Sequence, residues 1–316
     1  MAIELRPQQV EENIPHSELF RQRVDKAIDV LAWWGSQYPN TSDLTARTGG
    51  LLTLKDQFIA ISPPDLKQAE TDLIEKIFSL FALGHGIVLD EKLRLLLQKQ
   101  SGKLIGCMGA LGVAKTTLME AVAVNINANA VERESHLANP FWSFEESSLA
   151  KEVWFFLSSI VSDTRALTRP GLSVSDTCAL ADFRVWAPTH YEIGLFPREE
   201  YETYQRLTEL LKPIIPRPHL IVALLSDTIE HLKIGVANRA KNEQARREAG
   251  EEIFAAPDNQ NLAIQTRIVA QQIEQIPQQY GVPVLSMIVD PVAIYENSAV
   301  KQECVARVLE KWNSLM

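Results

Sequence analysis

The residues of this chain whose types and spacing point most directly to chemistry are Gly109-Ala110-Leu111-Gly112-Val113-Ala114-Lys115-Thr116. They stand between an apolar, strand-like stretch from Lys103 to Met108 and a helical one from Thr116 to Val124. A glycine turn at such a junction points backbone N–H groups into a concavity, and the helix N-terminus adds partial positive charge. That arrangement suits a phosphate. Lys115 is expected to reach terminal phosphates and the Thr116 hydroxyl to bind Mg²⁺. The expected phosphate-binding set is Gly109, Gly112, Val113, Ala114, Lys115, Thr116 and Thr117. Ala114 stands where the usual pattern has glycine before the lysine, so a Cβ restricts the backbone there and crowds the phosphate. The bland alternative is an ordinary strand-turn-helix with a surface lysine.

Elements must hold that loop in place, and the chain supplies them by alternation. Strand-like stretches fall at Lys103–Met108, Ala128–Glu134, Leu172–Asp176, His219–Leu225 and Val282–Val289. Helical stretches fall at Thr116–Val124, Leu149–Leu167, Ala179–Ala187, Glu199–Leu211, Thr228–Arg247 (helical or lid-like) and Val300–Leu315. Such alternation predicts an α/β fold, a parallel sheet covered by helices on both faces. Ala255–Gln279, rich in Gln and Asn, reads as loosely packed in places.

Residues 1–99 differ and read as a small, mostly helical region ahead of a P-loop domain at 100–316. Phe20, Val24, Ile28 and Leu31, with Ala27 between, make a helical stripe from Ser17 to Trp34. Further helices are expected at Asp65–Leu83 and Glu91–Gln98, the latter capped by Asp90. Trp33-Trp34 is an apolar pair that must pack on something: the core, a protein partner or a second copy of the chain.

Composition narrows the function. With 31 Lys and Arg against 40 Asp and Glu among 316 residues, the formal net charge is −9, which does not attract a nucleic-acid polymer in bulk. Three cysteines without C-x-x-C spacing argue against a disulfide framework and fit a cytoplasmic setting. No apolar run is long enough to span a bilayer, and Met1–His16 is polar, unlike a signal peptide. The six histidines form no H-E-x-x-H or H-x-H pair, so no metal site made by protein ligands alone is expected.

Beyond the loop, Glu134 stands five residues before Asn139-Pro140-Phe141, and a long helix carries Trp154-Phe155-Phe156-Leu157. Asp176-Thr177-Cys178-Ala179-Leu180-Ala181-Asp182 follows and ends in Val185-Trp186-Ala187; then come Pro218–Leu225, Lys233-Ile234 and Arg239-Ala240-Lys241. This succession, over about residues 103–316, resembles the deoxynucleoside kinase family. The resemblance implies binding of ATP with Mg²⁺ and phosphoryl transfer to a nucleoside-like hydroxyl. It implies that Lys115 and Thr116 serve phosphate and metal, that Glu134 takes the proton from the sugar 5′-hydroxyl, and that Asp176 helps hold the metal. Asp182 would help read the base, Arg239 and Lys241 would match the lid's Arg-x-Arg pair with one residue inserted, and Glu243 a lid glutamate near the sugar. Trp142 is a candidate lining of the nucleoside pocket or a core aromatic. Glu132 rivals Glu134, Asp182 on a helix reads more readily as an exposed or capping acid, and Arg239 and Lys241 also read as a solvated face.

The departures from that family bear on activity. Thr177 replaces the motif arginine. The expected glutamine on the long helix falls at Glu152 or Val153, and the arginine seven residues on at Ser159 or Ile160. The implied activity is therefore weak phosphoryl transfer. The alternative is a non-catalytic kinase-like scaffold or assembly subunit that keeps the fold.

Overall fold

Strand β1, Gly102–Gly109, has every residue but Lys103 buried, as a strand covered on both faces requires. It is the middle strand of a five-stranded sheet in the computed structural model, which describes residues 16–37, 56, 69, 72–73, 76–77, 102–130, 139–141, 148–212, 215–242 and 260–316. The order is β2 (Asn129–Ala130), β3 (Gly171–Val174), β1, β4 (Leu220–Ser226), β5 (Val284–Val289), and every pairing is parallel. Ile105 lies opposite Val174 on one side and Leu220 on the other. The parallel order requires crossovers, and helices supply them. They are α2 (Lys115–Asn125), α3 (Ser148–Thr168), the run Ala179–Ala181, Asp182–Trp186 and Ala187–Glu192, then Ile229–Asn242 and Asn261–Tyr280.

The expected alternation is thus present, with two differences. Asn261–Tyr280 is one helix of 20 residues, with Pro277 inside its last turns, not a loosely packed stretch. Leu262, Gln265, Ile268, Val269, Gln272, Ile276 and Tyr280 are buried at spacings of three and four, a core-facing stripe that the amide-rich composition disguises. The second difference is a short helix at Pro291–Glu296. Asp290 caps it, accepting from the Val292 and Ala293 N–H groups at 2.9 and 3.2 Å, and Pro291 opens its first turn. The last helix, Ser298–Leu315, buries Cys304, Val308 and Trp312, as their register predicts.

The described residues fall into two units, one drawn from Met1–Leu95, Pro140–Trp154 and Arg198–Ile214, the other from Leu96–Asn139, Phe155–Pro197 and Ile215–Met316. In the first, helix α1 (His16–Gln37) buries Phe20, Val24, Ala27 and Ile28. Phe20 meets Phe141 with ring centroids 5.8 Å apart. Arg206, on helix Arg198–Leu211, pairs with Asp25 and with Asp29, the latter at 3.0 Å. The Glu200 carboxylate accepts the Leu149 N–H at 2.8 Å. The expected helix at 91–98 lies outside the described residues, and of the one at 65–83 only isolated positions are described. The second unit holds the sheet and the phosphate loop. No described helix is long and apolar enough to cross a membrane.

Candidate functional site

The loop after β1 turns sharply because two of its residues adopt left-handed backbone conformations. Gly112 has φ 80°. It also lies against the backbone of helix Ile229–Asn242: a Cβ at Gly112 would stand 2.5 Å from the Leu232 carbonyl oxygen, and one at Gly235 2.2 Å from the Gly112 oxygen. Two glycines therefore let loop and helix backbones touch. Ala114 is the second left-handed residue, at φ 67°, ψ 26°. An alanine there carries strain of about 1–2 kcal/mol that a glycine would not. The sequence expectation that position 114 wants glycine is met as conformation, with the wrong residue in it.

Lys115 opens α2 and is buried. Its Nζ donates to the Gly109 and Ala110 carbonyls at 2.9 and 3.0 Å and lies 5.4 Å from the centre of the Trp186 ring. Val113 is buried and its N–H reaches the Ala110 oxygen at 3.4 Å. Thr116 and Thr117 are half-buried in the first turn of the helix. The Thr116 hydroxyl donates to Asp176 Oδ2 at 2.6 Å. Asp176 stands two residues beyond the end of β3. The loop and this carboxylate therefore converge at the C-terminal ends of two neighbouring parallel strands, where open α/β sheets bind ligands.

A hydroxyl and a carboxylate oxygen in contact form a hard oxygen donor set of the kind Mg²⁺ takes, so these two residues fit the ion the loop implies.

Asp182 begins a single π turn, Asp182–Trp186, between two short α-helical segments. Such turns recur at functional sites because they re-aim side chains. Its carboxylate accepts from the Ser159 hydroxyl on α3. Ser159 is one of the two positions, with Ile160, to which the resemblance assigns an arginine. Arg184, within the turn, is held by Gln272 and Gln275 at 2.9 and 2.8 Å. Thr177, at the motif-arginine position, has its carbonyl accepting from the Ser175 hydroxyl at 2.7 Å.

Beneath the loop lie groups with no part in that chemistry. Burial pushes the Cys107 thiol up to about 12, against the pull of Lys115, and Cys178 well above its ordinary value. Both stay protonated and are poor nucleophiles. Asp163 on α3 is buried, and burial pushes its carboxyl up to about 7. One of its oxygens accepts the Ala179 N–H at 2.8 Å; the other has no hydrogen-bond partner among the described residues.

The structure places residues 239 and 241 in the last turn of helix Ile229–Asn242. Glu134, Trp142 and Glu243 lie outside the described residues. Sequence reasoning gave no role to Gln265 or Gly235 beside this loop, since neither belongs to a local motif, and it quoted Trp186 only as part of the succession Val185-Trp186-Ala187 without a role. It also passed over Asp227, His231 and Asp290, gathered at the ends of β4 and β5. His231 Nδ1 lies 2.8 Å from Asp227 Oδ1, which raises the imidazole above its ordinary value. These carboxylates already serve the chain, Asp290 as a helix cap and Asp227 as acceptor of the Thr228 N–H at 2.8 Å.

No family model matches the chain. A deoxyadenosine/deoxycytidine kinase of Bacillus subtilis (strain 168) is 24% identical over 163 residues, which cover 49% of this chain and 75% of that protein. Among solved structures, deoxyadenosine kinase from M. mycoides with the products dCMP and dCDP superposes with a TM-score of 0.51 at 12% identity, covering 67% of this chain and 99% of that one. The same enzyme with bound dCTP superposes at 0.50 with the same identity and coverage. The chain has the deoxynucleoside kinase fold and is a divergent, deoxynucleoside kinase-like protein.

Proposed function

We propose that this kinase-like chain binds a nucleoside triphosphate, ATP in the first instance, and transfers its terminal phosphoryl group slowly to a nucleoside-like hydroxyl. The observation that carries the reading is the Thr116–Asp176 contact beside the buried Lys115, at the ends of neighbouring parallel strands. Loop amides and Lys115 would hold the phosphates, Lys115 exchanging its two loop carbonyls for phosphate oxygens. Thr116 and Asp176 would hold Mg²⁺, which when bound neutralises charge on the phosphate oxygens. In the transfer the acceptor oxygen bonds to the terminal phosphorus, the bond to the bridging oxygen breaks, and Glu134 takes the hydroxyl proton. Asp182 would face the nucleoside, and Arg239 and Lys241 would supply cations from the end of their helix. Catalysis of this kind is positioning and charge stabilisation, so each missing cation lowers the rate.

A second reading, a nucleotide-binding scaffold without turnover, is favoured by one specific observation. Where the resemblance leads one to expect guanidinium groups, this chain has Thr177 at one position and Ser159 or Ile160 at the other, none of which carries a positive charge, and Ser159 is bonded to Asp182. Thermal unfolding with millimolar Mg-ATP, beside product assays on a panel of deoxynucleosides, separates the readings. The wild type is expected to gain stability through mass action and Lys115→Ala to lose that gain. No shift in the wild type overturns nucleotide binding. A shift without product on any acceptor favours the scaffold.

A further inference from the structure

The buried face of helix Asn261–Tyr280 is apolar except for two glutamines, Gln265 and Gln272. Gln272 holds Arg184. Gln265 is fully buried, and its Oε1 accepts the N–H of Leu111, in the middle of the phosphate loop, at 2.8 Å. Its Nε2 has no hydrogen-bond partner among the described residues. A buried amide satisfied on one side only is a liability that methionine would avoid at nearly the same size. The bond to Leu111 is what the glutamine supplies in return.

That bond sits at a sensitive point. The Ala110 carbonyl belongs to the same peptide unit as the Leu111 N–H, and it accepts from Lys115 Nζ at 3.0 Å and from the Val113 N–H at 3.4 Å. On the other side of the turn Gly112 is pinned against Gly235. Tilting the Ala110–Leu111 peptide would therefore move a carbonyl bonded to Lys115 and shift the amides that follow. We infer that Gln265 is a positioning residue of the phosphate loop: by holding the Leu111 N–H it fixes that peptide plane and so the direction of the loop amides. The inference rests on the nucleotide-binding reading above.

The test is Mg-ATP affinity by calorimetry on the full chain, for wild type, Gln265→Met and Ile268→Val, with thermal unfolding of each. Ile268 is buried on the same helix and makes a control that loses packing without touching the loop. Gln265→Met is expected to weaken binding about tenfold, the scale of one hydrogen bond at the generous end, while Ile268→Val loses stability and keeps its affinity. Equal affinity in Gln265→Met and wild type overturns the inference and leaves nucleotide binding intact. Equal loss in both variants reduces Gln265 to a structural role and overturns it as well. Absence of binding in the wild type overturns the nucleotide reading and this inference with it. Should Gln265→Met fail to fold, amide hydrogen exchange in the wild type decides: a slowly exchanging Leu111 N–H supports the bond, and one that exchanges at the rate of an open loop removes it.

Discussion

Asp163 shows how a single side chain can set a pH dependence that no motif announces. Its carboxyl is buried, bonded on one oxygen only among the described residues, and raised from 3.8 to about 7. Between those values the folded chain keeps a proton that the unfolded chain has released, so stability falls as pH rises across that window and stays low above pH 7. The full difference is on the order of 4 kcal/mol. Asparagine keeps an acceptor for the Ala179 N–H and cannot ionise. Urea unfolding of wild type and Asp163→Asn at pH 5 and pH 8 is expected to show the variant gaining on the wild type as pH rises, by a few kcal/mol in all. A gap that does not widen with pH contradicts the assignment. At this scale the sequence was readable only where chemistry is local. Lys115, Thr116 and the misfit at Ala114 stand in one short run, and the structure puts Ala114 in the glycine-like conformation that run implies. Asp176 was reached through the resemblance. Gln265 lies 154 residues from the amide it holds, and nothing in its own neighbourhood marks it.

Between residues and fold, the helices decide where the loop can go. Helix Ile229–Asn242 carries Gly235 in its interior, where glycine weakens a helix by about 1 kcal/mol relative to alanine. In the structure Gly235 admits the Gly112 carbonyl, which would otherwise meet a Cβ at 2.2 Å. The obstruction is backbone against backbone, so no side chain can swing aside to relieve it. Gly235→Ala is therefore expected to lower stability despite its better helix propensity, by about 1–3 kcal/mol as overpacking does, and to weaken Mg-ATP binding by moving the helix off the loop. Thermal unfolding of the variant at or above the wild-type temperature would show that the contact is looser than this. Helix Asn261–Tyr280 teaches the complementary lesson. Its glutamines argued for loose packing, and that reading missed the apolar spacing of three and four that the structure buries, because burial follows spacing more than average composition. The π turn at Asp182–Trp186 had no such signature, since one extra residue in a turn leaves a short helical pattern readable either way.

For the whole molecule, alternation of strands and helices was enough to read the parallel sheet, because each buried strand is bounded by turns and each crossover is long enough for a helix. What alternation leaves open is whether the site at the strand ends turns over. On the proposed reading, a chain of net charge −9 that gathers a triphosphate must concentrate its cations at the site. Lys115 is there, and Arg239 and Lys241 follow in the helix that touches the loop. Thr177 is the position where one more cation would matter most. It is half-buried and one residue from Asp176, whose carboxylate meets Thr116 at 2.6 Å, so a guanidinium there could reach the transferred phosphoryl group through charge-assisted hydrogen bonds. Arginines that stabilise this charge are worth roughly 10³–10⁵ in rate where they have been removed or supplied. Thr177→Arg is expected to recover a small part of that, at least about tenfold in turnover with little change in Mg-ATP affinity, because the contact strengthens in the transition state more than in the bound ground state. The assay is product formation on several deoxynucleosides by wild type, Thr177→Arg and the double variant that adds Glu134→Gln. A gain in Thr177→Arg that Glu134→Gln abolishes identifies a weakened kinase site with Glu134 as its base. A gain that survives Glu134→Gln removes Glu134 from the mechanism. Intact binding with no turnover in any of the three means that the chain keeps the fold and the phosphate loop for holding a nucleotide, not for spending it.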